Sequence, residues 1–377
     1  MQIDLYSGIL LIGAVQGYIL AVFLFIINKG NTRANKIYGL LIILESFRLT
    51  SILFVNFKFY IYLPSAVIFF GLCALLSGPT IFLYTKTVIN KDYILKPLNL
   101  LHLIPFFAYV IYTIPFFIRS YQGKLECLTD ILQGKYMLRD QITAFIICIQ
   151  VICYIIFSLL AIKSYHEQLK KDYSSITKIS LSWLKAFIFI AMAFTTIDLI
   201  PVLFLIAGNP AASGQVYGIT ILFHAVFQII VPYYIIHKSI FSLQLAPDSV
   251  RTEKYSTSSL SDSRIKKYWQ TLTGLLEKKR LYLEPELKLD DLADLMGVSR
   301  HHLSQVINSC SGKNFYDLIN EYRIKEVKKM LFEHAEQTMS ILSIAFESGF
   351  NSKSSFNQVF KKHTGTTPTM FIRKGPN

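Results

Sequence analysis

The sequence predicts an all-α fold in two parts: a seven-helix transmembrane bundle, then a small polar domain built on a helical pair that occurs twice. Three observations carry this. Charge is divided unevenly: residues 1–240 hold 18 Lys+Arg and 9 Asp+Glu, whereas the 116 residues 262–377 hold 18 Lys+Arg and 13 Asp+Glu. The first part contains seven apolar runs of bilayer length, for which a helix needs ~20 residues. The pattern ADLMGVSRHHLSQVINS at Ala293 returns 52 residues later as AFESGFNSKSSFNQVFKK at Ala345.

The seven runs lie near 5–27, 37–57, 65–89, 99–118, 142–162, 183–207 and 216–236. The first has no basic segment before it and no small-residue cleavage site, so it reads as a retained helix rather than a signal peptide. Pro105, Pro115, Pro201 and Pro232 are sites for kinks, which membrane helices tolerate. Lys and Arg in short loops set the orientation. One side carries Lys29, Arg33, Lys36, Lys86, Lys91, Lys96, Lys163, Lys170, Lys171, Lys178 and Lys185. The other carries Lys58, Arg119, Lys124, Lys135 and Arg139, a balance of eleven to five. The expected topology is a multi-pass protein of the inner (cytoplasmic) membrane, with its N-terminus outside and everything after about 237 in the cytoplasm. An odd number of spans gives the same answer.

Four ionisable residues fall inside these runs. Glu45 and Arg48 are three apart on one helical face, where they can pair. Asp198 and His224 lie on the sixth and seventh runs. Burying such groups in lipid is costly, so each is a functional hypothesis. They read either as structural struts or as the seat of an unknown signal ligand. Cys73, Cys127, Cys148, Cys153 and Cys310 are scattered, with no CxxC pair and no zinc spacing, so no metal and no cofactor is expected. Cys127 falls in an expected external loop.

Residues 1–238 are thus expected to form the membrane domain and 239–263, rich in Ser and Thr, a linker. The polar domain spans 264–377. In RIKKYWQTLTGLLEKK, Ile265, Tyr268, Trp269, Leu272, Leu275 and Leu276 form one helical stripe. It needs a partner, either the following domain or a second copy of the chain.

Within the repeat, Leu289, Leu292, Ala293 and Met296 face one side of a short helix. Gly297 permits a turn, and Ser299 caps a second helix that turns Leu303, Val306 and Ile307 inward. The opposite face carries His301, Gln305 and Asn308, flanked by Ser304. In the second copy Ile341, Ile344 and Ala345 point inward, Gly349 turns and Phe350 plugs the core. Asn351 or Ser352 caps a helix that buries Phe356, Val359 and Phe360. Its outward face holds Ser354, Gln358 and Lys361, with Lys353 and Asn357 beside them. The units are two helix-turn-helix motifs, over 289–309 and 340–362, joined by a helix over 315–332. A rod of that length spans ~27 Å, close to one turn of DNA at ~34 Å.

Such faces suit the major groove of double-stranded DNA. Gln and Asn bond an adenine edge, Lys reaches guanine, and Ser serves either. Arg300, Lys353, Lys361 and Lys362 are placed to neutralise phosphates. A helical bundle with a solvated face is the plainer reading, but two matching polar faces after two matching turn glycines weigh against it.

LADLMGVSRHHLSQVI, NEYRIKEVKKML and SIAFESGFNSKSSFNQVFKKHTGTTPTMFIR resemble the DNA-binding domain of the AraC/XylS family over about 90 residues, a quarter of the chain. Gly349, Phe350, Val359, Phe360, Gly365 and Pro368 are the most specific part of that pattern. The resemblance implies a cytoplasmic AraC-type double helix-turn-helix domain, with base contacts from His301, Ser304 and Gln305 in the first reader and Ser354 and Gln358 in the second. Regulators of this family usually carry a soluble domain in front; here seven apolar runs stand in its place, as in membrane-anchored members.

The function expected is a membrane-bound, sequence-specific transcription regulator that senses a signal through its apolar part. Its partners would be promoter DNA and the lipid bilayer, with RNA polymerase, a signal ligand and a second copy of the chain also admitted. The alternative is a membrane enzyme or transporter with a regulatory DNA-binding tail. The chain has no HExxH, GxSxG or phosphate-binding loop, and no evident inverted repeat of broken helices, so it is not expected to be an enzyme.

Overall fold

The computed structural model describes residues 3–135, 138–238, 260–333 and 339–374. Residues 239–259 of the expected linker lie outside these. The described regular structure is helical, apart from an isolated antiparallel bridge between Tyr173 and Lys288. The chain divides into two compact units: Met1–Ile162 with Leu181–Ser249, and Lys163–Ser180 with Val250–Asn377.

The first unit contains α1 (Leu5–Ile26), α2 (Thr32–Asn56), α3 (Pro64–Leu72), α4 (Ala74–Ile89), α5 (Ile104–Phe117), α6 (Tyr121–Leu132), most of α7 (Leu138–Asp172), α8 (Ser182–Ile206) and α9 (Pro210–His237). A 3₁₀ turn, Pro97–Leu103, leads into α5. Counting α3 with α4 and this turn with α5, seven helices among the described residues are long and apolar enough to cross a membrane.

Contacts between these helices rest on close approach over small residues and on hydrogen bonds. Leu10 and Ala14 of α1 pack against Leu49 and Leu53 of α2 and Ile221 and Ala225 of α9. A Cβ on Gly17 would lie 2.1 Å from Ser46 Oγ and 2.4 Å from Gln228 Nε2. Across the same seam Gln228 Nε2 donates to Ile42 O at 3.2 Å and to Ser46 Oγ at 3.3 Å.

The helices differ from the sequence reading in three places, one being the run at 142–162, which α7 carries on to Asp172 through Lys163, Lys170 and Lys171 of the expected loop. The run over 65–89 is broken at Cys73, where Leu76 N donates to Cys73 O at 3.0 Å, a tighter turn than an α-helix makes. Pro79 follows in α4. It lacks the N–H that would bond Leu75 O, and Gln150 Nε2 of α7 donates to that carbonyl instead, at 3.1 Å. The region around Cys127, expected as a loop, is the helix α6, capped by Ser120 Oγ accepting from Gly123 N at 3.2 Å.

The second unit comprises the end of α7 and the stretch that follows it, then α10 (Asp262–Lys279), α11 (Leu289–Met296), α12 (Arg300–Ser311), α13 (Phe315–Glu333), α14 (Ile341–Glu347), α15 (Lys353–Thr364) and α16 (Pro368–Lys374). It has two cores. Leu272 and Leu276 of α10 join Leu289, Leu292, Leu303, Ile307, Phe315 and Ile319 in the first, with Trp269 packed against them. The α10 stripe therefore finds its partner in its own domain. Ile324, Val327, Ile344, Phe350, Phe356, Val359 and Phe360 form the second core. α13 serves both: Phe315 and Ile319 enter one, Ile324 and Val327 the other. This makes it the strut between the two helical pairs.

Candidate nucleic-acid interface

Each reading helix is set by a glycine turn and a serine cap. Gly297, at φ 62°, closes α11. Ser299 Oγ then accepts from His302 N at 3.2 Å and starts α12. In the second pair Gly349 has φ 89°, and Ser352, rather than Asn351, is the cap, accepting from Ser355 N at 3.2 Å. Leu303, Val306 and Ile307 on α12, and Phe356, Val359 and Phe360 on α15, are buried. Burial of these faces turns the polar residues outward.

The outward face of α15 is open: Lys353, Ser354, Asn357, Gln358, Lys361 and Lys362 are all exposed. Ser354 Oγ lies 3.5 Å from the capping Ser352 Oγ. On α12, Asn308 is exposed and donates to Ser304 O at 2.9 Å, while Arg300, His301, Ser304 and Gln305 are half-buried. Lys361, Lys362 and His363 occupy the last turn of α15, where cations are favoured by the helix dipole. Burial, together with the Lys362 ammonium beside it, pushes the His363 imidazole below its ordinary pKa.

Two of the expected phosphate ligands are already engaged. Lys362 Nζ lies 2.6 Å from Asp317 Oδ1 at the start of α13. Arg300 pairs with Asp172, at the end of α7, and its Nε is 3.6 Å from Asp290 Oδ1. Sequence reasoning missed these carboxylates, and it missed Arg323. Arg323 is 1% exposed on α13. Its Nε donates to Tyr282 O at 2.7 Å and its Nη2 to Glu284 O at 2.7 Å. Its place in the series Ile319, Arg323, Val327, on a buried helical face, was a signal available in the sequence.

In the other unit, the four ionisable residues of the apolar runs come together. Arg48 Nη2 is 3.0 Å from Glu45 Oε2, and Arg48 Nη1 is 3.2 Å from Asp198 Oδ2. His224 Nε2 is 3.0 Å from the same Asp198 oxygen. His224 Nδ1 is 4.0 Å from Glu45 Oε2. This quartet borders a cavity of about 140 Å³ whose other walls include Ile42, Phe187, Phe194 and Phe227.

Residues 292–374 match a family model described as a helix-turn-helix domain. The probable transcription factor PqrA of Proteus vulgaris is 36% identical over 89 residues, which cover 24% of this chain and 70% of that protein. The chain belongs to the AraC family of transcription regulators. Two further relatives are described as HTH-type transcriptional regulators. One, uncharacterised and encoded in the cgkA 5′ region of Pseudoalteromonas carrageenovora, is 33% identical over 26% of this chain and 59% of its own length. The other, GlxA of Rhizobium meliloti (strain 1021), is 31% identical over 27% of this chain and 31% of its own length. The similarity of this AraC-family regulator to all three is thus confined to about a quarter of its length, and the apolar helices have no counterpart in these matches. An AraC-type domain with two reading helices makes the chain a sequence-specific DNA-binding transcription regulator.

Proposed function

We propose that this regulator works from the membrane, with the seven apolar helices in the bilayer and the AraC-type domain reading a promoter from the cytoplasmic side. The observation that carries the reading is the joining, in one chain, of two polar reading faces to seven helices of bilayer length. The outer surface of α1 supports it: Ile12, Ile19, Val22 and Ile26 are 57%, 64%, 57% and 70% exposed. A water-soluble helix seldom presents a continuous face of this kind. The loop-charge balance supports an N-terminus outside. A reporter fused after residue 238 is expected to give a cytoplasmic signal, and an external one would overturn this topology.

At the promoter, Gln358 and Asn357 on α15, and Gln305 and Asn308 on α12, bond base edges in adjacent major grooves. Lys353 and Lys361 neutralise phosphates. With the full chain in lipid nanodiscs, Gln358→Ala is expected to weaken specific binding by ~1–3 kcal/mol and to relax preference at one base position. Lys361→Ala is expected to weaken binding to all duplexes alike and to flatten the salt dependence by about one unit of slope. Selection from a random duplex pool followed by footprinting checks both; unchanged affinity and preference for Gln358→Ala would remove that residue from the reader.

The Glu45–Arg48–Asp198–His224 quartet and its cavity are the proposed seat of signal reception. A signal acts there by favouring one of two arrangements of the chain, which requires unequal affinity for them.

A further inference from the structure

The stretch after α7 is short, polar and without periodicity, yet it is bound into the DNA-binding unit at every residue from Asp172 to Lys178. Ser174 is its anchor. Arg323 Nη1 donates to Ser174 O at 3.1 Å and Arg323 Nη2 to Ser174 Oγ at 3.1 Å. Asn320 Nδ2 donates to the same Ser174 carbonyl at 3.2 Å. On its other side Ser174 donates to Leu287 O from both N (3.1 Å) and Oγ (2.7 Å), and Tyr173 bridges Lys288 in antiparallel register. Ile176 packs on the second core. Lys178 Nζ is 2.5 Å from Glu286 Oε1.

The same stretch touches both reading units. Asp172 pairs with Arg300, the first residue of α12. Ser175 Oγ donates to Asn351 Oδ1 at 3.0 Å, and Ser352 Oγ donates to Thr177 Oγ1 at 3.5 Å, so the turn that launches α15 is held as well.

We propose that α13 and the 282–288 stretch form a peptide-docking groove whose occupant is residues 172–178 of this same chain, and that occupancy of the groove lowers affinity for DNA. The occupant is held by its backbone at Tyr173 and Ser174, as an added strand is, and by side chains at the other five positions. The Asp172 carboxylate sits on Arg300 where a DNA phosphate would sit. Docking therefore neutralises a positive charge at the start of a reading helix. The N-terminal residues of such helices lie closest to the bases, so loss of the free Arg300 charge weakens binding directly. Because residues 172–178 connect α7 to α8, anything that draws them out of the groove turns a change in the apolar helices into a change in Arg300. The inference rests on the reading of α12 and α15 as DNA readers.

The test uses the full chain in nanodiscs with Thr177→Cys and Ser352→Cys, the exposed Cys153 and Cys310 and the half-buried Cys127 being replaced by Ser. The probe is a duplex selected from a random pool by the reduced protein. Oxidation is expected to cross-link the pair, read on a non-reducing gel. The cross-linked protein is expected to bind the duplex about tenfold more weakly than the same sample after dithiothreitol, the loss of roughly one charge-assisted contact. Asp172→Asn, which keeps the shape and removes the charge, is expected to bind more tightly than the parent chain, with log–log salt dependence steeper by about 0.9. Failure to cross-link, or equal affinity of the oxidised and reduced forms, would overturn the proposal. Cross-linking in a chain that selects no duplex in either state would overturn the DNA reading, and the affinity effect with it, while the seating of 172–178 would stand.

Discussion

Gly349→Ala is expected to destabilise the C-terminal unit by about 2–5 kcal/mol. Two costs add. Gly349 has φ 89°, a region that costs a residue with a Cβ roughly 1–2 kcal/mol. The new Cβ would also lie 2.6 Å from Tyr282 O, 2.9 Å from Leu283 Cα and 2.9 Å from Leu283 O. All three are backbone atoms and cannot rotate away, so the overpacking costs a further ~1–3 kcal/mol. Thermal unfolding of the full chain in detergent, with hydrogen exchange over residues 341–364, would read the loss. Gly297→Ala is the control: it also has positive φ, at 62°, but nothing lies within 4 Å of its Cβ position. It is expected to cost only the conformational part, about 1–2 kcal/mol. Equal effects of the two substitutions would mean that the crowding at Gly349 contributes nothing.

Arg323→Ala is expected to cost about 3–5 kcal/mol, because several buried carbonyls lose their donors together. Burial pushes the Arg323 guanidinium down to about 10, so it remains charged at neutral pH while held by neutral acceptors. Removing it strips donors from Tyr282 O, Glu284 O and Ser174 O at once. Each acceptor left without a partner costs ~1–3 kcal/mol, and Ser174 O keeps only Asn320 in part compensation. Arg323→Lys keeps the charge but not the planar fork, and it is expected to recover only a minority of the loss. Because Arg323 and Gly349 both act on the Tyr282 carbonyl, their effects are expected to be non-additive by ~0.5–3 kcal/mol in a double-mutant cycle. Arg323→Ala should also raise exchange at residues 173–178, and a variant that melts like the parent would show that these hydrogen bonds are replaced by water without loss.

Most of the helical plan could be read directly. Long apolar runs announce α1, α2, α8 and α9 because each keeps its apolar composition over 22 residues or more. The two reading helices were legible for a different reason: burying one face of a short helix forces period 3.6 on its apolar residues, and whatever lies opposite is exposed. α6 was missed because it is short and only weakly apolar, although its Ser120 cap was visible. Pro79 was passed over because its consequence, the freed Leu75 carbonyl, is met by Gln150 from another helix. That Lys361 and Gln358 would be exposed needed only their place on α15. The engagement of Arg300 by Asp172 and of Lys362 by Asp317 could not be read, since neither carboxylate lies near its partner in the chain.

By itself the sequence determined which segments are apolar and how long they are, where the two glycine turns fall, and which polar side chains the reading helices expose. These are local properties, written in composition and period. Only the tertiary structure decided that Arg48, paired locally with Glu45, would also meet Asp198, which in turn meets His224, that Gly349 would be crowded while Gly297 stays open, and that Ser174 would lie against Arg323. Those outcomes depend on backbone carbonyls and on charges brought together from distant positions, and contacts of that kind leave no periodic trace in the order of residues.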